Sequence, residues 1–245
     1  MSWLAEAQES SDSPDDVPIA NDNGVRSGMK AETGVLQRLG LLGVIPVVVL
    51  ENEDDADPLA RALLEGGLPT MEVTFRTAAA PRVLKRIAAG HPDVLLGAGT
   101  VLTVDQAQVA IGCGAKYIVS PGLLPKVVEY CLQRGIAVLP GVVTPTEVAL
   151  ALELGITTVK FFPAESSGGL PYLKAISAPF PHMRFIPTGG IDESNLLSYL
   201  KYDAVHACGG SWMVKGELVA QKRFDEIKRL TSRAAALVAG VWRNP

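Results

Sequence analysis

A repeat constrains the fold of this chain more than any other feature. Short β-branched runs alternate with helical stretches eight times between residues 44 and 239. Val44–Leu50 precedes helical Asp54–Glu65, and Thr70–Phe75 precedes Ala80–Ala89. Val94–Leu96 leads into Asp105–Ile111, Tyr117–Val119 into Pro125–Arg134, and Ala137–Leu139 into Pro145–Leu154. Thr157–Phe162 then precedes Leu170–Ile176, Arg184–Ile186 precedes Glu193–Leu200, and Ala204–Ala207 precedes Arg223–Ala239. Eight βα units of about 25 residues predict an α/β fold of the (β/α)₈ (TIM) barrel type, with an eight-stranded parallel sheet. A doubly wound open sheet also alternates, but it usually carries a glycine-rich loop after its first strand. Here that segment is Glu51-Asn52-Glu53-Asp54-Asp55, acidic and without glycine.

Local signals agree with the barrel. Gly66-Gly67, Gly114, Gly135 and Gly155 each follow a helix, where a left-handed cap is wanted. Phe224, Ile227, Leu230, Ala234 and Leu237 form a three- and four-residue stripe that buries the closing helix. The expected organisation is an acidic, disordered extension over residues 1–32 and one barrel domain over 33–245. Residues 1–30 hold six acids against Arg26 and Lys30, a net of −4, which is the charge of the whole chain, so the rest balances to zero.

A neutral body offers no basic stripe for nucleic acid or an anionic membrane surface. No apolar run approaches the roughly 20 residues of a membrane helix, and no secretory leader is recognisable at the start. The expected setting is cytoplasmic. Cys113, Cys131 and Cys208 are too scattered for a disulfide framework or zinc cluster, and His91, His182 and His206 form no ligand motif. Neither metal nor cofactor is expected.

Two strands carry charge where a barrel wants none. Alternate residues of a strand face the barrel interior, and catalytic groups sit toward the C-terminal strand ends. In Thr70–Arg76, period two puts Glu72, Thr74 and Arg76 opposite Val73 and Phe75; in Thr158–Pro163 it puts Thr158, Lys160 and Phe162 opposite Val159 and Phe161. If the apolar faces meet the helices, Glu72 and Lys160 both point inward. A lone buried charge is costly, so such groups occur as ion pairs or as functional residues. The structural alternative is an internal Glu72–Lys160 pair. The functional one is a desolvated amine that attacks a carbonyl, with Glu72 as general acid/base. Arg76, toward the mouth, suits a carboxylate through its planar fork, though it could equally be a surface arginine.

Glycines point to an anion. Barrels often hold phosphate with the loops after strands seven and eight. Strand seven ends in Pro187-Thr188-Gly189-Gly190, with Asp192 as an expected helix cap, and strand eight ends in Cys208-Gly209-Gly210-Ser211. Backbone N–H groups at glycine can approach an anion closely, and Ser211 adds a hydroxyl. Gly97-Ala98-Gly99-Thr100 and Ser120-Pro121-Gly122 read as turns, with Thr100 placed to line the mouth.

These residues resemble the 2-keto-3-deoxy-6-phosphogluconate (KDPG) and 4-hydroxy-2-oxoglutarate (KHG) aldolases. Gly67-Leu68 followed by Glu72-Val73-Thr74-Phe75-Arg76 is similar to the family's active-site signature. Gly155 followed by Val159-Lys160-Phe161-Phe162-Pro163-Ala164 and Gly168 is similar to its Schiff-base signature. The turns at 97–100, 187–190 and 209–212 also match, and the resemblance spans about residues 35 to 215. It implies Lys160 as the Schiff-base lysine, Glu72 as acid/base, Arg76 with Thr100 as carboxylate binders, and Pro121 with Phe162 as pocket walls. It further implies Gly189, Gly190, Gly210 and Ser211 at the phosphate end, a keto-acid phosphate substrate, and a homotrimer; Thr188, beside Gly189, is expected to bind substrate as well. A sister branch acting on the galactonate epimer is less similar, having an amide-type residue in place of Arg76. Two readings stand beside this one: a phosphate-binding barrel lyase or isomerase without a covalent lysine, and an inactive trimeric scaffold.

Overall fold

The computed structural model describes residues 34–242; the acidic extension expected over 1–32 lies outside the described residues. A helix over 34–42 (α1) comes first. It is followed by β1 (Val44–Val48), α2 (Ala56–Glu65), β2 (Thr70–Thr74), α3 (Ala80–Gly90), β3 (Leu95–Gly99) and α4 (Val104–Gly112). Next come β4 (Tyr117–Val119), α5 (Pro125–Leu132), β5 (Ala137–Leu139), β6 (Gly141–Val142), α6 (Pro145–Glu153) and β7 (Thr158–Phe161). The chain continues through α7 (Gly169–Ser177), β8 (Arg184–Pro187), α8 (Leu196–Leu200), β9 (Cys208–Gly210), α9 (Gly216–Ala220) and α10 (Phe224–Trp242). Among the described residues no helix is long and apolar enough to cross a membrane.

The strands form a curled six-stranded sheet in the order β5-β4-β3-β2-β1-β9 and a three-stranded sheet in the order β6-β7-β8. The pairings are parallel. Strand pleating divides the core in two. Val44, Val48, Met71, Val73, Leu96, Ala98, Ile118, Val138, Val159, Phe161 and Phe185 face outward into one cluster with the helices. Ile45, Leu95, Tyr117, Val119, Ala137, Leu139 and Ile186 face inward, where Leu39 of α1 joins them. Val35 and Leu36 pack behind Leu39, so α1 seats against the inner cluster rather than in the outer helical layer. The inner cluster is apolar at its centre, and the charged residues lie to one side of it.

The helices carry conventional signals. Thr144 and Glu147 form a reciprocal capping box at the start of α6, an arrangement that satisfies two otherwise orphaned N–H donors. On α10, Ile227 and Ala234 are buried, and Phe224, Leu230 and Leu237 are partly so, as the stripe predicts. That helix packs on α2 and α8.

Several expectations need correction. The last strand is Cys208–Gly210, four residues beyond the expected start at Ala204; only Val205 of the predicted run makes a bridge, to Phe185. The two glycines are therefore strand residues rather than the loop after one. Gly97 and Gly99 likewise lie within β3. The fifth expected strand continues past Pro140 as β6, because proline has no N–H to donate and interrupts the ladder there. The helix expected from Glu193 begins only at Leu196, and Asp192 does not cap it: its carboxylate accepts from the N–H and hydroxyl of Ser194 in a preceding turn. Gly67, Gly114, Gly135 and Gly155 have positive φ, but Gly66 has φ −78° and remains right-handed.

Candidate active site

Glu72 and Lys160 come from different sheets and meet inside. Glu72 is the third residue of β2, in register with Val47 of β1 and Gly97 of β3. Lys160 is the third residue of β7, in register with Gly141 of β6 and Ile186 of β8. Their outward neighbours Val73, Val159 and Phe161 are buried against the helices, which turns both charged side chains inward. Lys160 Nζ lies 3.4 Å from Glu72 Oε1, with the side chains only 8% and 4% exposed. This is the pairing that period two predicts.

Glycines make the space. A Cβ on Gly99 would lie 2.0 Å from Glu72 Oε1, so the carboxylate occupies the volume that any other residue would need. A Cβ on Gly97 would strike the ring of Tyr117, and one on Gly141 would lie 2.2 Å from the carbonyl oxygen of Pro121. Glycine at 141 thus brings Pro121 against the strand beside Lys160. Tyr117 is completely buried below Glu72; burial, and then the nearby Glu72 charge, push its phenol up, while the contact with Thr70 acts the other way. It therefore stays protonated, an uncharged floor under the carboxylate.

On one side of the pair, the Nε of Arg76 donates to Thr100 Oγ1 at 3.4 Å. Arg76 is exposed, as its surface reading allowed, but its contact with Thr100 brings together the two residues implicated together. Thr100 has φ 56°, an uncommon conformation for a β-branched residue and the kind of strain that clusters at functional sites. On the other side, the half-buried Phe162 ring has its centroid 5.1 Å from Lys160 Nζ, within cation–π range. Its edge lies 3.3 Å from where a Cβ on Gly189 would be.

The Gly189–Gly190 turn and the glycine strand β9 adjoin. Thr188 and Gly209 form a parallel bridge, and Thr188 is buried against Gly209. The carbonyls of Thr188, Gly189 and Gly190 are held by the N–H of Ala164 (2.9 Å), the N–H of Glu165 (3.0 Å) and the Asn195 side-chain amide (2.9 Å). In a planar trans peptide the N–H points opposite to the carbonyl. The N–H groups of residues 189, 190 and 191 therefore point away from those anchors. Ser211, just after β9, is exposed. The glycines also meet a packing requirement: Cβ atoms at 190, 209 and 210 would meet Glu165, Thr188 and Trp212. Gly141, Glu165 and Tyr199 were not singled out from sequence, and Gly99 was read only as part of a turn; for the two glycines, their place on the inward face of a strand is itself the signal of a close approach.

A family model described as KDPG and KHG aldolase matches residues 35–230. The chain belongs to this family. The 2-dehydro-3-deoxy-phosphogluconate aldolase of Treponema pallidum is 48% identical over 204 residues, covering 83% of this chain and 97% of that protein. The KHG/KDPG aldolase of Escherichia coli is 38% identical over 191 residues, 78% of this chain and 90% of its own. Among solved structures, the KDPG aldolase of Legionella pneumophila superposes with a TM-score of 0.79 at 38% identity, covering 82% of this chain and 97% of that one. That structure holds pyruvate as a covalent carbinolamine intermediate. The family match spans every candidate residue, from Glu72 to Ser211.

Proposed function

We propose that this protein is a class I aldolase that cleaves KDPG to pyruvate and glyceraldehyde 3-phosphate, with KHG cleavage to pyruvate and glyoxylate as a second activity. The observation that carries the reading is the 3.4 Å approach of two nearly sealed, oppositely charged side chains, Lys160 and Glu72. Transfer of one proton from the ammonium to the carboxylate leaves a free amine beside a carboxylic acid. The amine adds to the C2 ketone, and the acid returns its proton as the carbinolamine loses water, giving an iminium. The Glu72 carboxylate then takes the C4 hydroxyl proton. The C3–C4 bond breaks, its electron pair flows into the iminium to form an enamine, and the aldehyde leaves. Glu72 returns the proton to C3, and water releases pyruvate and restores the pair. Arg76 and Thr100 take the substrate carboxylate, Pro121 and Phe162 wall the pocket, and the outward N–H groups near Gly189 and Gly190, with Gly210 and Ser211, receive the phosphate. The covalent pyruvate of the Legionella relative supports the chemistry assigned to Lys160.

The same reading extends to the whole fold. We infer one domain over residues 33–245, its two sheets closing into a single (β/α)₈ barrel. Support comes from the Thr188–Gly209 bridge between β8 and β9, from the single residue separating β5 and β6, and from the Lys160 N–H donating to the Pro140 carbonyl at 3.0 Å. Assembly as a homotrimer belongs to the proposal; exposed Leu102, Val109 and Leu150 supply apolar surface for it.

Borohydride reduction in the presence of pyruvate tests the central claim. Inactivation with one reduced pyruvate on the peptide carrying Lys160 is expected. An adduct elsewhere, or none under conditions that trap other class I aldolases, would leave Lys160–Glu72 a structural ion pair.

A further inference from the structure

The Gly189–Gly190 turn has two consecutive residues at positive φ, 97° and 83°. Such a turn is soft unless its surroundings fix it. Glu165 does much of the fixing. Its N–H holds the Gly189 carbonyl, and its Cβ and Cγ fill the space beside Gly190, each 2.6 Å from where a Cβ would stand. Its carboxylate runs past Gly169, also at positive φ, whose Cβ would be 3.1 Å from Oε1. There it accepts a hydrogen bond from the hydroxyl of Tyr199 on α8. Tyr199 is 1% exposed, and burial, then Glu165 itself, hold its phenol well above the usual range, so the hydroxyl keeps its proton. Glu165 follows Lys160 by five residues along one segment. The segment that carries the amine therefore also grips the turn that faces the far end of the substrate.

We propose that Glu165 and Tyr199 form a clamp that positions the Gly189–Gly190 turn and thereby sets the preference for phosphorylated over unphosphorylated substrates. The proposal rests on the aldolase reading for its substrates, but the clamp itself can be tested without turnover. Both are positioning residues: they act on the phosphate through the turn. Shape and hydrogen bonding should matter more than the Glu165 charge, because a glutamine side chain can fill the same slot and still accept from Tyr199.

The test compares wild type with Tyr199→Phe, Glu165→Ala and Glu165→Gln. Loss of a hydrogen bond to a charged group supports a fall of about tenfold in kcat/KM for KDPG in the first two, mainly through KM. KHG cleavage and pyruvate methyl-proton exchange should stay within about twofold, and Glu165→Gln should restore the KDPG:KHG ratio to within about threefold of wild type. Titration of inorganic phosphate into each resting protein repeats the comparison without chemistry. Weaker phosphate binding in Tyr199→Phe and Glu165→Ala, but not in Glu165→Gln, supports the clamp. Parallel loss of both activities, or unchanged phosphate affinity with only a lowered melting temperature, overturns it. Wild-type protein that binds phosphate through the clamp yet cleaves neither substrate would refute the aldolase reading alone.

Discussion

Gly99→Ala is a sharp probe of the Glu72–Lys160 arrangement, because it adds one methyl group and touches neither residue's chemistry. The new Cβ would stand 2.0 Å from Glu72 Oε1 and 2.6 Å from Cδ and Cγ, whereas real Cβ contacts essentially never fall below 3.0 Å. The carboxylate must therefore retreat by about 1 Å, a large share of the 3.4 Å that separates it from Lys160. A misplacement of that size at a reacting group can lower the rate by about 10²-fold, equivalent to about 2.7 kcal/mol of barrier. Because the clash reaches back to Cγ of a side chain that is only 4% exposed, the stability loss should fall within the ~1–3 kcal/mol typical of overpacking. Gly97→Ala is the matched control: its Cβ would meet the Tyr117 ring at 2.1 Å, where a fully buried ring cannot yield. It should destabilise more but leave the folded fraction active. Exchange of pyruvate methyl protons in deuterium oxide, read alongside denaturant unfolding, separates the two. Exchange in Gly99→Ala within about threefold of wild type, or an equal loss in folded Gly97→Ala, would refute the argument.

Further predictions follow from the same contacts. Lys160→Met should abolish cleavage and also destabilise by about 3–5 kcal/mol, since it strands a buried carboxylate; adding Glu72→Gln should recover much of the stability and none of the activity, as urea melts and rate assays would record. Glu72→Gln alone should keep the trapped adduct slowly accessible while proton exchange drops about 10²-fold, and unchanged exchange would give the proton transfer to another group. At Glu147, burial opposes the charged form, but hydrogen bonds from the N–H of Val143 and from the hydroxyl and N–H of Thr144 outweigh it and hold the carboxyl below its usual range. Its contribution is present above the unfolded carboxylate pKa and is lost as pH falls through the lower folded value. Glu147→Gln should therefore be about 1 kcal/mol less stable at neutral pH, with the gap closing in acid; a gap constant down to about pH 3 would contradict this.

The charged pair was legible in the sequence because strand pleating leaves little freedom: with Val73, Val159 and Phe161 packed outward, Glu72 and Lys160 had one direction left. Tyr117–Val119 and Ala137–Leu139 were read with their observed limits for a similar reason, each being a purely apolar run. The last strand was misplaced because Cys208-Gly209-Gly210 offers almost no side chains from which a period can be read. It is defined by backbone pairing with Val44–Pro46 across the sheet, a long-range contact. The glycines of β3 failed in the same way. Glycine suggests a turn when only neighbours in sequence are considered, while its actual cause, the carboxylate of Glu72 or the ring of Tyr117, arrives from another strand. The Glu165–Tyr199 contact spans 34 residues and leaves no periodic trace at all.

The apolar plug under the charged pair has a kinetic consequence. With Leu39 of the first helix, Ile45, Leu95, Tyr117, Leu139 and Ile186 packed together inside the curled sheets, the barrel proposed above would be closed at one end, and its reaction would run in a blind well. Ketone, aldehyde and hydrolytic water must then share one doorway, and traffic through it has to be sequential. In the proposed arrangement the aldehyde, carrying its phosphate at the rim, would block that doorway until it departs, and pyruvate, tethered at depth, would be the last out. Until the aldehyde has gone, the enamine behind it is screened from the water that would end the cycle early, so the order of release follows from the shape of the well.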